Sequence, residues 1–234
     1  MDFVVPRNRE LTDLLSKASS EDLNVLADLI TDSGKGRLAL DSSVKAIILK
    51  RKELGDLQSI ADVLESEIRA FGGNTLANLF RSEKVSYKEI SMDVAKELGG
   101  KPTQDHDIFG VEDIAIEGAV LKFEGKSPGL SDMIPSVLTA KLGPIVSSLV
   151  GASGSLVGST ATAGATGVAG FIGGRAASLV APPLAVIAAG TALYQASSPA
   201  TRITMPAVLQ IAKIRRIRFE ADLANYHKAL EACM

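Results

Sequence analysis

Three consecutive residues near the middle of the chain, Asp105, His106 and Asp107, have side chains that bind metal ions or transfer protons. Adjacent side chains on one strand or loop point in different directions, so three in a row rarely close around one ion. No cysteine or second histidine lies nearby, because the other histidine is His227 and the one cysteine is Cys233. The sequence therefore predicts a solvated loop here, not a metal site.

A glycine-rich segment later in the chain invites comparison with phosphate-binding loops. At Gly158, Ser159 and Thr160 the lysine that a P-loop requires is missing, and the chain has no GxGxxG motif. Ser153, Ser155 and Ser159 have no histidine nearby in sequence to activate a hydroxyl group. We therefore predict no catalytic, cofactor-binding or metal-binding residues. A helical enzyme with partners distant in sequence is the third-ranked alternative.

The most unusual feature of the sequence is that residues 142–201 contain a single charged residue, Arg175. Glycine, alanine, serine and threonine dominate this uncharged stretch. In an aqueous helix each glycine costs about 1 kcal/mol relative to alanine, which disfavours a lone soluble helix. In a bilayer or a tight bundle, the same small residues let helices approach closely.

We predict that the stretch forms a helical hairpin, with one arm from about Pro144, a turn at Arg175 and a second arm over residues 179–194. Each uncharged arm is long enough for the ~20 residues of a membrane span. Because the first arm is rich in serine, threonine and glycine, we expect conditional, oligomeric insertion. The alternatives are packing against the N-terminal helices and a flexible linker over residues 159–166. The predicted helix-packing residues are glycines: Gly151, Gly154, Gly158, Gly170 and Gly174.

A basic segment follows the uncharged stretch. Its positive charges alternate with apolar residues in a helix that we expect to begin near Pro206, which is typical of a helix at a membrane surface. With Lys141 before the stretch, these charges give the positive-inside pattern of a cytoplasmic base. The equally weighted alternative is a core-facing helix with a solvated basic flank. The predicted membrane-surface residues are Arg202, Lys213, Arg215, Arg216 and Arg218.

The part of the chain before residue 125 is predicted to be helical. Apolar residues recur at intervals of three and four over residues 57–71, and Ser86 with Glu89 forms the pattern of a capping box. The fold class is therefore all-α. We predict an N-terminal multi-helix domain over residues 1–125, a linker and apolar hairpin over 126–201, and a C-terminal basic helix over 202–234.

Composition limits the partners and the location. A formal net charge of -2 and a pI near 5.8 give no argument for nucleic acid. The N-terminus has no apolar run of signal-peptide length, and one cysteine fits a reducing compartment. We expect a cytoplasmic protein that is peripheral to or inserted in the inner membrane, forms a homo-oligomer, binds membrane lipid or a membrane protein, and uses no cofactor.

Three sequence blocks carry a family resemblance. LTDLLSKASSEDLNVLADLIT, FGGNTLANLFR and TRITMPAVLQIAKIRR, in this order, resemble the YaaW-like family of uncharacterised bacterial proteins. Residues 44–123 are also distantly similar to the ubiquinol-cytochrome c chaperone domain, an all-helical module tied to the assembly of membrane complexes. The family has no assigned catalytic residues, so the resemblance implies no site residue.

Two function classes lead. The first is a non-enzymatic, membrane-associating helical protein whose glycine-zipper-like hairpin inserts and oligomerises, in the extreme case as a pore-forming effector. The second, which the chaperone resemblance implies, is an assembly factor that binds a membrane protein partner.

Overall fold

A computed structural model describes residues 5–37, 40–73, 85–125, 135–153 and 201–233. In these ranges the chain forms helices and turns without a strand, so the all-α prediction is confirmed. The helices are α1 (Leu11–Ser16), α2 (Ser20–Thr31), α3 (Ser42–Glu53), a short 3-10 helix (Leu57–Ile60) that leads into α4 (Ala61–Gly73), α5 (Tyr87–Glu97), α6 (Ile108–Glu124), α7 (Pro135–Ser153) and α8 (Thr201–Glu231).

Side-chain caps set the starts of several helices. The capping box at α5 is present, because the Ser86 side chain accepts from the Glu89 backbone N–H and the Glu89 carboxylate accepts from the Ser86 N–H. The cap of α3 is Asp41, whose carboxylate accepts the backbone N–H groups of Ser43 and Val44. The cap of α6 is Asp107, and this helix begins at Ile108.

Helix α8 runs through the centre of the described structure. It packs against α1, α2, α4, α5, α6 and α7, and its residues from Ile203 to Ile214 are buried apart from the half-buried Lys213. The buried apolar residues form one cluster that extends from Leu11 in α1 to Ile214 in α8. Residues of the predicted domain 1–125 and of the predicted helix 202–234 therefore share one core.

Helix α7 contains the start of the uncharged stretch. The predicted arm begins near Pro144, but the helix in the structure begins at Pro135 and continues through Pro144. Its inner face belongs to the common core, where it packs mainly against α8. The first residues of the stretch are thus part of the folded body. The buried residues of this face are Leu142, Ile145, Val146 and Leu149.

The rest of the predicted hairpin, with Gly154, Gly158, Gly170, Gly174 and Arg175, lies outside the described residues. Gly151 is described and exposed at the end of α7, and an added Cβ atom there would have no neighbour within 4 Å. Among the helices that the structure describes, none is both long and apolar enough to cross a membrane.

Candidate functional site

The described part of α7 ends at Ser153, and residues 154–200, the remainder of the uncharged stretch, follow it in the sequence. Arg37, in the loop after α2, holds this end. Its Nη1 and Nη2 atoms each lie 3.2 Å from Ser153, at the carbonyl oxygen and Oγ respectively, and its Nε donates to the Leu29 carbonyl at 2.9 Å. A guanidinium group at a helix C-terminus is favourable, because the last carbonyl groups carry partial negative charge.

Helix α3 lies beside this loop, since Lys45 Nζ donates to the carbonyl oxygen of Lys35 at 3.0 Å. Of the residues of α3, all of which the structure describes, only Ile48 is buried. Ile47 is 44% exposed, and Leu54, which directly follows the helix, is 64% exposed. We call the group formed by Lys35, Lys45, Ile47, Lys50 and Leu54 the α3 surface.

The basic residues of α8 occupy a different environment. Lys213 Nζ lies 2.8 Å from Asp22 Oδ1, and Gln210 donates to the same carboxylate oxygen at 3.0 Å. Arg218 Nη2 lies 2.9 Å from Asp222. Arg202, at the start of the helix, is half-buried. Lys213 and Arg218 of α8 therefore form ion pairs with carboxylates of the same fold.

Arg215 is the most deeply buried of these cations. Its side chain is 2% exposed, and its Nε donates to Glu112 Oε2 at a distance of 2.9 Å. The Glu112 side chain is itself fully buried. Tyr87 donates its hydroxyl to Glu112 Oε1 at 2.9 Å, and Arg215 Nη1 donates to the carbonyl oxygen of Arg9 at 2.6 Å. We call Arg9, Tyr87, Glu112 and Arg215 the polar seam. It connects the N-terminal segment, α5, α6 and α8.

Burial and charge have opposite effects on the carboxylate of the seam. Burial raises the pKa of Glu112, whereas the Arg215 guanidinium and the two hydrogen bonds favour its ionised form. Burial also raises the pKa of Tyr87, which keeps its hydroxyl protonated as a donor. Because both carboxylate oxygens of Glu112 accept a hydrogen bond, the seam resembles a satisfied structural ion pair more than a proton-transfer site.

Arg216 extends this network toward the N-terminal segment. It pairs with Asp113, and its guanidinium carbon lies 3.5 Å from the centre of the Phe109 ring, over which Arg7 also lies at 4.5 Å. Burial lowers the pKa of Arg216 to about 10, so this side chain still carries its charge at neutral pH.

The predicted membrane-surface role of the α8 residues remains a prediction. In the structure, Lys213, Arg215, Arg216 and Arg218 each pair with a carboxylate, whereas the alternative of a core-facing helix expected a solvated basic flank. Glu112 and Asp113, which have the acidic charge that the buried part of α8 requires, were not among the residues predicted from the sequence. The available signal was their position in a mostly apolar helix, VEDIAIEGAVLKF.

The Asp105–Asp107 loop has a capping role. Asp107 accepts the Gly110 backbone N–H at 2.8 Å and the Asn8 amide at 3.1 Å, while the Thr103 backbone N–H donates to His106 Nδ1 at 2.9 Å. Within the described ranges, no three histidine, cysteine, aspartate or glutamate side chains form a group that could hold a metal ion.

Comparisons with known proteins find relatives that match most of the chain. The chain is 28% identical over 225 residues to the UPF0174 protein YaaW of Escherichia coli K12, which covers 88% of the chain and 93% of the relative. The YaaW protein of E. coli O157:H7 matches to the same extent. The chain is similar to YaaW over most of its length.

The similarity to YaaW supports the resemblance to the YaaW-like bacterial proteins. No family model matches the chain, and no solved structure matches it. The similarity of residues 44–123 to the ubiquinol-cytochrome c chaperone domain is therefore not shown and stays a prediction.

Proposed function

We propose that this chain is a YaaW-like, non-enzymatic helical protein that associates with the cytoplasmic face of the inner membrane through residues 154–200. One observation carries the proposal. Residues 154–200 contain a single charge, Arg175, and they are inserted between α7 and α8, two helices that pack against each other in the core. The core thus anchors both ends of a segment whose composition favours an apolar environment.

The composition of the segment determines what it is proposed to do. Serine, threonine and glycine make its first half a poor anchor on its own, so insertion depends on close packing between helices. In this proposal Gly154, Gly158, Gly170 and Gly174 form the packing faces, and Arg175 lies at the turn. Copies of the chain then associate through these faces, and a pore is the extreme outcome.

The basic residues of α8 serve the folded body in this proposal. Lipid contact by Lys213, Arg215 and Arg216 would require these side chains to leave Asp22, Glu112 and Asp113. Separating a buried pair leaves an uncompensated charge, which is strongly destabilising. We therefore place lipid contact on the inserted segment rather than on the buried part of α8.

The test uses the full chain with vesicles of phosphatidylethanolamine and phosphatidylglycerol that contain a self-quenched dye. We expect the wild-type chain to float with the vesicles after an alkaline carbonate wash and to release dye. The double variant Gly154→Leu/Gly158→Leu should lose both activities. The matched control is Gly143→Leu in α7, where an added Cβ atom has no neighbour within 4 Å, and it should behave as wild type.

Two outcomes contradict this function. The first is wild-type protein that stays unbound and leaves the vesicles sealed. The second is equal loss of activity in the Gly143 control. Sealed vesicles together with a membrane protein subunit that co-purifies in fixed ratio would instead favour the chaperone-like assembly factor.

A further inference from the structure

We infer that the α3 surface is a docking site for anionic lipid headgroups, which holds the folded body on the bilayer beside the inserted segment. The inference rests on the proposed function, because it identifies how the same protein would contact the membrane surface. It depends on three observations: exposed apolar side chains, local positive charge, and the position next to Ser153.

The apolar side chains lie on the outer face of α3. Ile47 and Leu54 are seven residues apart, which places them two turns apart on the same side of a helix. They are two of the five large hydrophobic side chains that are exposed in the described part of the chain. Paired exposed side chains of this kind fit into the boundary between headgroups and acyl chains.

The charge around this face has a small positive excess. Residues 33–54 contain six basic and two acidic residues in a chain whose net charge is -2. Arg51 and Lys52 pair with Asp56 and Asp28, which places part of the charge within the fold. Lys50 is exposed between Ile47 and Leu54, and Lys35 is exposed beside Lys45. Such a cluster is attracted to the negative surface of the cytoplasmic leaflet.

The position of the surface connects it with the uncharged stretch. Lys45 donates to the carbonyl oxygen of Lys35. Arg37, two residues after Lys35, contacts the carbonyl and hydroxyl groups of Ser153. Residue 154 follows directly. A bilayer that receives the segment beginning at residue 154 would therefore come close to α3, whose outward groups already match an anionic interface.

The experiment measures flotation of the full chain with vesicles of phosphatidylcholine alone or of phosphatidylcholine with phosphatidylglycerol. We expect binding that requires phosphatidylglycerol and weakens with added salt. Ile47→Ser/Leu54→Ser should weaken this binding by about tenfold or more, because both apolar contacts with the interface are lost. Lys50→Glu should weaken it by about threefold to tenfold, through charge reversal.

The matched control is Leu121→Ser on α6. Leu121 is 50% exposed, similar to Ile47, but it lies outside the α3 surface. Its variant should bind as wild type, and thermal unfolding should show that all variants are folded. Equal loss in the Leu121 variant, unchanged binding by Ile47→Ser/Leu54→Ser, or wild-type binding that does not depend on phosphatidylglycerol would each overturn the inference. Binding to soluble polyglutamate without binding to vesicles would overturn it in favour of an acidic protein partner.

The two proposals fail in different ways. If Ile47→Ser/Leu54→Ser binds and releases dye like wild type, the docking site is wrong and the inserting segment stands. If the wild-type chain shows salt-sensitive binding to anionic vesicles but never resists carbonate or releases dye, insertion is wrong and the docking site stands.

Discussion

The polar seam and the α3 surface combine the same residue types in opposite ways. Helix α8, which contributes Arg215 to the seam, and helix α3 both carry positive side chains among apolar ones. In the seam, Arg215 faces the buried carboxylate of Glu112, whereas Lys50 of the α3 surface faces outward between two exposed apolar residues. What separates the two is a carboxylate from a distant part of the chain. A basic, apolar helix is therefore a core helix or an interfacial one depending on what packs against it.

The largest effect should come from breaking the seam. Glu112→Ala leaves the Arg215 guanidinium buried without its carboxylate, and we expect the free energy of unfolding to fall by about 3–5 kcal/mol. Urea denaturation followed by circular dichroism measures this change.

The control for this variant removes both charges. Glu112→Leu/Arg215→Met should recover much of the lost stability, because replacing a buried pair by apolar residues is often neutral. A cost below about 1 kcal/mol for Glu112→Ala would show that water reaches the seam, and the contrast with the α3 surface would then be weak.

The next effect tests how tightly the helices beside the seam pack. A Cβ atom at Gly118 in α6 would lie 2.7 Å from the Leu98 carbonyl oxygen and 2.8 Å from its Cβ atom. We expect Gly118→Ala to destabilise the fold by about 1–3 kcal/mol through overpacking, despite the better helix propensity of alanine. Thermal unfolding measures the change. Gly143→Ala in α7 is the matched control, since it meets no neighbour and should be neutral or stabilising.

The sequence predicted which segments are helical better than it predicted which helix faces are buried or exposed. Apolar spacing and capping residues such as Ser86 are local, so they identified an all-α chain and the capping box of α5. The depth of Arg215 depends on Glu112, which lies 103 residues away. No local pattern contains that pairing.

The same limit applies to the candidate site. The sequence identified residues 142–201 as unusual by their lack of charge, but it did not show that one helix runs from Pro135 through Pro144 or that Arg37 contacts Ser153. The sequence also did not show that Ile47 and Leu54 are exposed, because their exposure depends on where the other helices pack.

A smaller effect is expected at the cap that joins α6 to the N-terminal segment. Burial alone would raise the pKa of Asp107, but hydrogen bonds from Gly110 and Asn8 and the nearby Arg7 charge lower it below the ordinary value of 3.8. The lowered pKa means that the folded state favours the carboxylate. The stabilisation is therefore present above pH 3.8 and is lost as the pH falls.

We expect Asp107→Ala to cost about 1 kcal/mol near pH 7, as the loss of an N-cap usually does. The difference from wild type should shrink as the pH is lowered below the ordinary value of 3.8. Urea midpoints measured over a pH series provide the check. A difference that stays constant down to pH 3 would mean that the carboxylate charge contributes nothing there.

The smallest effect should occur on the α3 surface. Leu54→Ser should change the free energy of unfolding by less than about 0.5 kcal/mol, because the side chain is already mostly in solvent. Leu64→Ala in α4, at a fully buried leucine, should cost about 2–5 kcal/mol in the same urea assay. If Leu54→Ser were as costly as Leu64→Ala, the α3 surface would be part of the core.

The central position of α8 has a consequence for translation. The ribosome synthesises α8 after residues 154–200. The core that α8 shares with the earlier helices is therefore incomplete while the uncharged stretch leaves the ribosome. At about 5–20 residues per second, the interval from residue 154 to residue 215 lasts about 3–12 s. During that interval the nascent segment is tethered to α7 but not yet to α8. In the proposed membrane association, residues 154–200 would therefore reach a membrane most easily before synthesis of α8 is complete.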